Sequence, residues 1–249
     1  TGKTVLAFEK ARRLAEQGMK TLLTCYNRPL ADHLSGLASN IQNLDVLTFH
    51  QLCIRAADVA GIERPRAEDF DAYPGVLEQG LNSSGPIYDA VIVDEGQDFA
   101  QGVAGSSSSD WWTVLELSLH EPGIFYVFLD RNQTVYGAVG GLPGDLVPFD
   151  LTSNLRNTSQ IHSYARKLYS GSEFSAAGPR GPAIEFFQLD EDDLVGRTDA
   201  VRQELDRLLV TIDPSDIVLL VSNRQILDEL LSTPVGDLVY DKRESNTST

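Results

Sequence analysis

Tyr88-Asp89-Ala90-Val91-Ile92-Val93-Asp94-Glu95, running on into Gly96-Gln97-Asp98-Phe99, is an apolar stretch that stops at two adjacent carboxylates. A short apolar run bounded by polar and turn residues predicts a buried strand. Similar runs flank it at 20–26 (KTLLTCY), 44–49 (LDVLTF), 124–130 (IFYVFLD) and 146–151 (LVPFDL). Between them lie amphipathic helix patterns at 5–18 (VLAFEKARRLAEQG, ended by Gly18) and 29–39 (PLADHLSGLAS). Strands alternating with helices predict an α/β fold, a parallel sheet with helices on both faces. The second half repeats the alternation, with helix candidates at 159–170, 199–212 and 224–232 and strand candidates at 183–189 (AIEFFQL), 216–222 (DIVLLVS) and 237–240 (DLVY). A new unit is expected to open at Leu151, giving units 1–150 and 151–249. Gly/Ser-rich pieces at 82–86 and 102–109 read as loops.

The chain opens with Thr1-Gly2-Lys3-Thr4 directly before a helix pattern, which matches the last half of the phosphate-binding loop G-x-x-x-x-G-K-[ST]. In such a loop, backbone N–H groups at a helix start hold phosphates, the lysine neutralises their oxygens and the hydroxyl ligates magnesium. Gly2, Lys3 and Thr4 are the candidates for these tasks. Asp94 and Glu95 then suit the two carboxylates that phosphoryl transfer uses, one holding the metal ion and one acting on the attacking water.

VDEGQDF (93–99) closely resembles motif II of the UvrD/Rep-type superfamily-one helicases, usually DEAQD followed by an aromatic or aliphatic residue. Other segments agree in order. Leu23 to Ala31 is similar to motif Ia, Thr48-Phe49-His50 to the T-F-H that follows it, Phe128 to Gly137 to motif III, and Leu151 to Thr158 to motif IV. The run DEGQDF, WW, DRNQTVYG and RNTSQI looks closest to UvrD-like proteins joined to a nuclease-related (NERD) domain. Motif III departs from G-D-x-x-Q, with Leu129 in place of Gly, while Asp130 and Gln133 stand where expected.

This resemblance implies a RecA-like P-loop NTPase domain over 1–150 and the incomplete start of a second over 151–249. It implies ATP and Mg2+ held by Gly2, Lys3, Thr4 and Asp94, with Thr4 and Asp94 on the metal, and catalysis by Glu95, Gln133 and Arg156. An amide at Gln133 suits sensing of a γ-phosphate, because it donates and accepts at once. An arginine such as Arg156, planar and always charged, suits a finger that meets charge as the phosphate leaves. Tyr26, Arg28, His50 and Tyr136 are implied to face single-stranded DNA, with RNA the other candidate strand. Two later family motifs are not seen before Thr249, so the motif set reads as cut at both ends and these residues alone as weakly active or inactive. The alternative reading is a degenerate helicase fold that serves as a regulatory or interaction module.

Composition limits these readings. The net charge of −16 excludes a globally basic nucleic-acid surface, so any contact with DNA is expected in a local groove. The acidic run 189–194 reads as a solvated loop or helix start. No stretch approaches the roughly 20 apolar residues of a membrane span and no secretory signal is visible, which leads to a cytoplasmic expectation. Two cysteines, Cys25 and Cys53, are too few for a disulfide framework and read as structural thiols. His50 and Cys53, three apart, lack the further ligands of a zinc site. Trp111 and Trp112 read as a helix packing on the sheet.

Overall fold

The computed structural model describes residues 2–66, 68–102, 110–130, 142, 146–169, 174–190, 193–221 and 224–232. The chain divides into two compact units, Thr1–Pro182 and Ala183–Thr249. The division falls later than residue 150, so the segment from Leu151 to Pro182 clusters with the first unit.

Four strands form one parallel sheet in the order β2-β1-β3-β4: β1 Thr21–Cys25, β2 Leu44–Thr48, β3 Tyr88–Val93 and β4 Leu119–Val127. The central strands β1 and β3 are covered on both faces, and for that reason their sequences are near-continuous apolar runs. Edge strands β2 and β4 are only partly buried. The chain steps from β1 out to β2 through α2 (Arg28–Ala38), then reverses past β1 to β3 through α3 (Phe49–Ala60) and α4 (Ala72–Ser84). It continues to β4 through α5 (Trp111–Leu117). With crossovers of one hand, a reversal of direction puts the helices on opposite faces. The packing agrees: α1 (Lys3–Glu16) and α2 bury Ala7, Ala11, Leu14 and Leu34 against Leu23, Ala90 and Ile92. On the other face Phe49, Leu52, Leu77, Phe99, Trp112 and Leu115 pack on Leu22, Val91 and Val93. The expected α/β parallel sheet with helices on both faces is present.

Local chemistry sets the helix ends. Asn27 caps α2 by accepting from the Leu30 N–H, with Pro29 in its first turn. Thr48 and Gln51 form a reciprocal capping box at the start of α3, which Gly61 ends in a left-handed turn. The serines of 82–86 belong partly to α4 rather than to a loop, since Ser83 and Ser84 bond back to Gln79 O and Gly80 O.

The later strand expectations do not hold. Residues 146–151 form no strand, and the next ladder is only β5 (Ser153–Asn154) beside β6 (Ser175–Ala176), flanking α6 (Ser159–Ala165). In the second unit the described residues hold α7 (Leu194–Leu209) and α8 (Arg224–Ser232), joined by the Arg202 guanidinium donating to Glu229 O at 3.2 Å. Residues 183–189 and 216–221 are not strands there; Phe186 is 66% and Leu220 92% exposed. Apolar content alone does not make a strand, because its N–H and C=O groups need a neighbour to pair with. The candidate at 237–240 lies outside the described residues. Among the described residues no helix is long and apolar enough to cross a membrane.

Gly80 lets α4 approach α3 closely: a Cβ there would sit 3.0 Å from the Ala56 Cβ and 3.2 Å from its carbonyl oxygen. Gly80→Val is expected to force the helices apart and lower stability by about 1–3 kcal/mol, read as a shifted urea midpoint with an unchanged slope.

Candidate active site

Because the strands are parallel, their carboxyl ends lie along one edge, where ligands of open α/β sheets bind. The residues that leave this edge are Tyr26 and Arg28 after β1, His50 after β2, Asp94 and Glu95 after β3, and Asp130 after β4. The start of α1 meets the same edge, since Lys3 Nζ pairs with Asp130 Oδ2 at 2.9 Å. Gly2 caps α1 in a left-handed conformation (φ 73°), with no side-chain cap and no acidic residue in the first turn. Glycine takes that conformation without a steric penalty.

Asp94 is fully buried. Its N–H donates to Thr24 O at 2.8 Å, continuing the sheet one residue past β3. Neither of its carboxylate oxygens has a hydrogen bond of full geometry among the described residues. Burial pushes its pKa up; the Thr4 hydroxyl opposes this, the Glu95 charge adds to it, and the Glu95 N–H and the Lys3 charge oppose it, the Thr4 and Glu95 N–H contacts at a geometry short of a full bond. The site therefore holds an anionic group whose charge is under-compensated, with an ammonium and a hydroxyl beside it.

Glu95 takes a left-handed backbone (φ 53°), which costs a non-glycine residue about 1–2 kcal/mol. The turn is pinned to β4's extension by Gly96 N–H donating to Phe128 O at 2.9 Å. A Cβ on Gly96 would lie 2.6 Å from Val127 Cγ1 and 3.3 Å from Trp112. This approach explains glycine where the resembled motif ordinarily has alanine. Gln97, nearly buried, donates through Nε2 to Glu95 Oε2 at 2.6 Å and accepts from the Asp130 N–H at 2.9 Å. Asp98 bonds back through its N–H to Glu95 O, and burial, then the Glu95 charge, pushes its carboxyl pKa up.

Beside this cluster an aromatic group joins the ends of β1 and β2. Tyr26 stacks on Trp111 at 5.9 Å and meets the His50 ring edge-on at 5.6 Å; His50 also lies 4.6 Å from Tyr73. Burial pushes the His50 pKa down. Trp111 and Trp112 are buried on the sheet, as a packing helix requires. Arg28, at the start of α2, is exposed, with Asp32 at 3.8 Å. Cys25 and Cys53 are free and buried; burial pushes the Cys25 thiol up to about 12 and raises Cys53 as well, so both are inert thiols.

Lys3, Thr4, Asp94 and Glu95 are thus brought together, and Tyr26 joins His50. Arg156 is exposed just after β5, its N–H bonded to Asn154 Oδ1 at 3.2 Å, and its guanidinium enters none of the contacts described above. Gln133 and Tyr136 lie outside the described residues. Sequence reasoning did not assign Gln97 and Asp130 to the site. Both stand in the quoted motifs, but only the fold shows that they bridge β3 and β4. Among the described residues no group of three or more His, Cys, Asp or Glu has metal-binding geometry. Magnesium at nucleotide sites needs no such cage, since one or two protein oxygens plus phosphates and water suffice. No protein-family model and no curated protein matches this chain.

The raised pKa of Asp94 has a signed consequence. The folded state holds that proton more tightly, so the stabilisation is present below the ordinary carboxylate range and is lost as pH rises through the raised value. Asp94→Asn is expected to stabilise the metal-free protein near neutral pH by on the order of 1 kcal/mol, and not below about pH 4. Urea midpoints of both proteins across that range check this; an equal difference at every pH would contradict it.

Proposed function

We propose that this chain is the nucleotide-binding part of a nucleic-acid-dependent ATPase of the helicase type, with a RecA-like first domain, working in the cytoplasm on single-stranded DNA or RNA. The observation that carries the reading is the buried, under-compensated Asp94 carboxylate beside Thr4 and Lys3 at the carboxyl edge of a parallel sheet. A buried charge of this kind is costly unless paired, and a divalent cation with phosphate oxygens is the pairing that this donor set suits. Thr4 and Asp94 would hold magnesium, whose charge would offset the charge of the transferring phosphate.

Lys3, released from Asp130, would bind the β- and γ-phosphate oxygens of ATP, aided by the N–H groups of the α1 start at Gly2. Glu95 would take the proton of the attacking water. Gln133 and Arg156 would act on the γ-phosphate. Tyr26, Arg28, His50 and Tyr136 would follow the strand. The second reading, a degenerate helicase fold acting as an interaction module, is favoured by the Lys3–Asp130 ion pair, which engages the ammonium itself.

ATP binding and turnover by the intact protein separate the two readings. Lys3→Ala is expected to weaken ATP binding, whereas Glu95→Gln is expected to keep binding and lower turnover by about 10²–10⁴-fold. Full turnover in Glu95→Gln would remove the assignment of the base. Binding to single strands is expected to weaken with salt, each neutralised phosphate adding about 0.7 to the slope. Arg28→Ala should reduce that slope by about one such contact, measured by fluorescence anisotropy over a salt series.

A further inference from the structure

The loop after β3 contains a buried polar side chain, Gln97, with no task in the nucleotide chemistry. Gln97 is 5% exposed, and both ends of its amide are engaged. Its Nε2 donates to Glu95 Oε2 at 2.6 Å, and its Oε1 accepts the Asp130 N–H at 2.9 Å. The amide has one workable orientation. A backbone N–H only donates, so it requires the oxygen end, and an ionised carboxylate only accepts, so it requires the nitrogen end. Turning the group round would oppose two oxygens at one end and two N–H groups at the other.

We propose that Gln97 is the positioning residue of the water-facing carboxylate: anchored by the Asp130 N–H, its amide holds Glu95 Oε2 and leaves Oε1 to act on a water. The proposal rests on the nucleotide reading of the site. Backbone geometry alone does not aim Glu95. Its left-handed turn and the Gly96 bond to Phe128 O fix where the side chain leaves the loop, but its own torsions remain to be set. A charge-assisted bond at this distance, shielded from bulk water, sets them before reaction. The same amide extends the arrangement to the phosphate side. Asp130, whose N–H anchors Gln97, carries the carboxylate that pairs with Lys3. Lys3, Asp130, Gln97 and Glu95 thus form one series from the start of α1 to the base.

Gln97→Glu separates the two bonds, because it keeps the volume and the acceptor for the Asp130 N–H while its ionised form offers no donor to Glu95. In the intact protein it is expected to lower kcat for ATP by about 10–100-fold with KM changed less than about twofold. A merely structural role would raise KM or lower the melting temperature along with kcat. Gln97→Ala, which loses both ends, is expected to lower kcat at least as far. A second measurement is independent of turnover. The Gln97 side-chain amide signal in a ¹⁵N–¹H spectrum, identified by its loss in Gln97→Glu, should shift at constant pH in Glu95→Gln, which removes the charged acceptor. Unchanged kcat in Gln97→Glu, or an amide signal indifferent to Glu95→Gln, would overturn the proposal. Absence of turnover in the unsubstituted protein would overturn the nucleotide reading instead, with the amide signal still deciding the contact.

Discussion

Burial of the Asp94 carboxylate at the end of β3 is the constraint around which the first unit is arranged. β3 is central and covered on both faces, so the residue after it begins in a low-dielectric setting and carries a charge that the setting disfavours. Two features limit the cost. The Asp94 N–H remains in the sheet through Thr24 O, and the start of α1 brings the Thr4 hydroxyl and the Lys3 charge to the carboxylate. Packing of α1 on β1 and β3 is therefore both a core contact and an electrostatic one. The small residues Ala7 and Ala11 on its inner face suit a close approach to the sheet.

The loop that follows β3 departs from ideal geometry in ways that support one another. Glu95 adopts a backbone that glycine would adopt more cheaply, and Gly96 occupies a space into which no Cβ fits. Strain of this order persists only where surrounding contacts over-determine it. Here those contacts are Gly96 N–H to Phe128 O, Gln97 to both Glu95 and Asp130, and Trp112 against Gly96. These contacts tie the ends of β3 and β4 together, although Glu95 and Val127 stand 32 positions apart in the chain.

The aromatic group at the ends of β1 and β2 combines packing with exposure. Phe49 and Trp111 are buried and stacked at 4.2 Å, whereas Tyr26 and His50 lie at the margin of that core.

Much of the first unit was legible in the sequence. The four strands, α1, α2 and the adjacent Asp94 and Glu95 carboxylates follow from apolar runs, 3.6-residue periodicity and turn residues, which are local properties. Thr48 and Gln51, three apart, also carry a readable cap signal, though in the resembled motif their neighbour His50 draws attention to nucleic acid instead. In the later part, apolar runs at 146–151, 183–189 and 216–221 look as strand-like as β1, yet they form no strand. A strand depends on the partner beside it as much as on its own residues, and that partner is not encoded locally. The same distinction divides the site. The ammonium, hydroxyl and carboxylates at 3, 4, 94 and 95 are read directly from the residue types, while the pairing of Lys3 with Asp130 spans 127 positions and the bridge from Gln97 to Asp130 spans 33. The sequence by itself determined which groups carry charge and which segments are apolar; only the tertiary structure decided that Gln97 meets Asp130, because a contact between the ends of β3 and β4 depends on strand order, which no local pattern records.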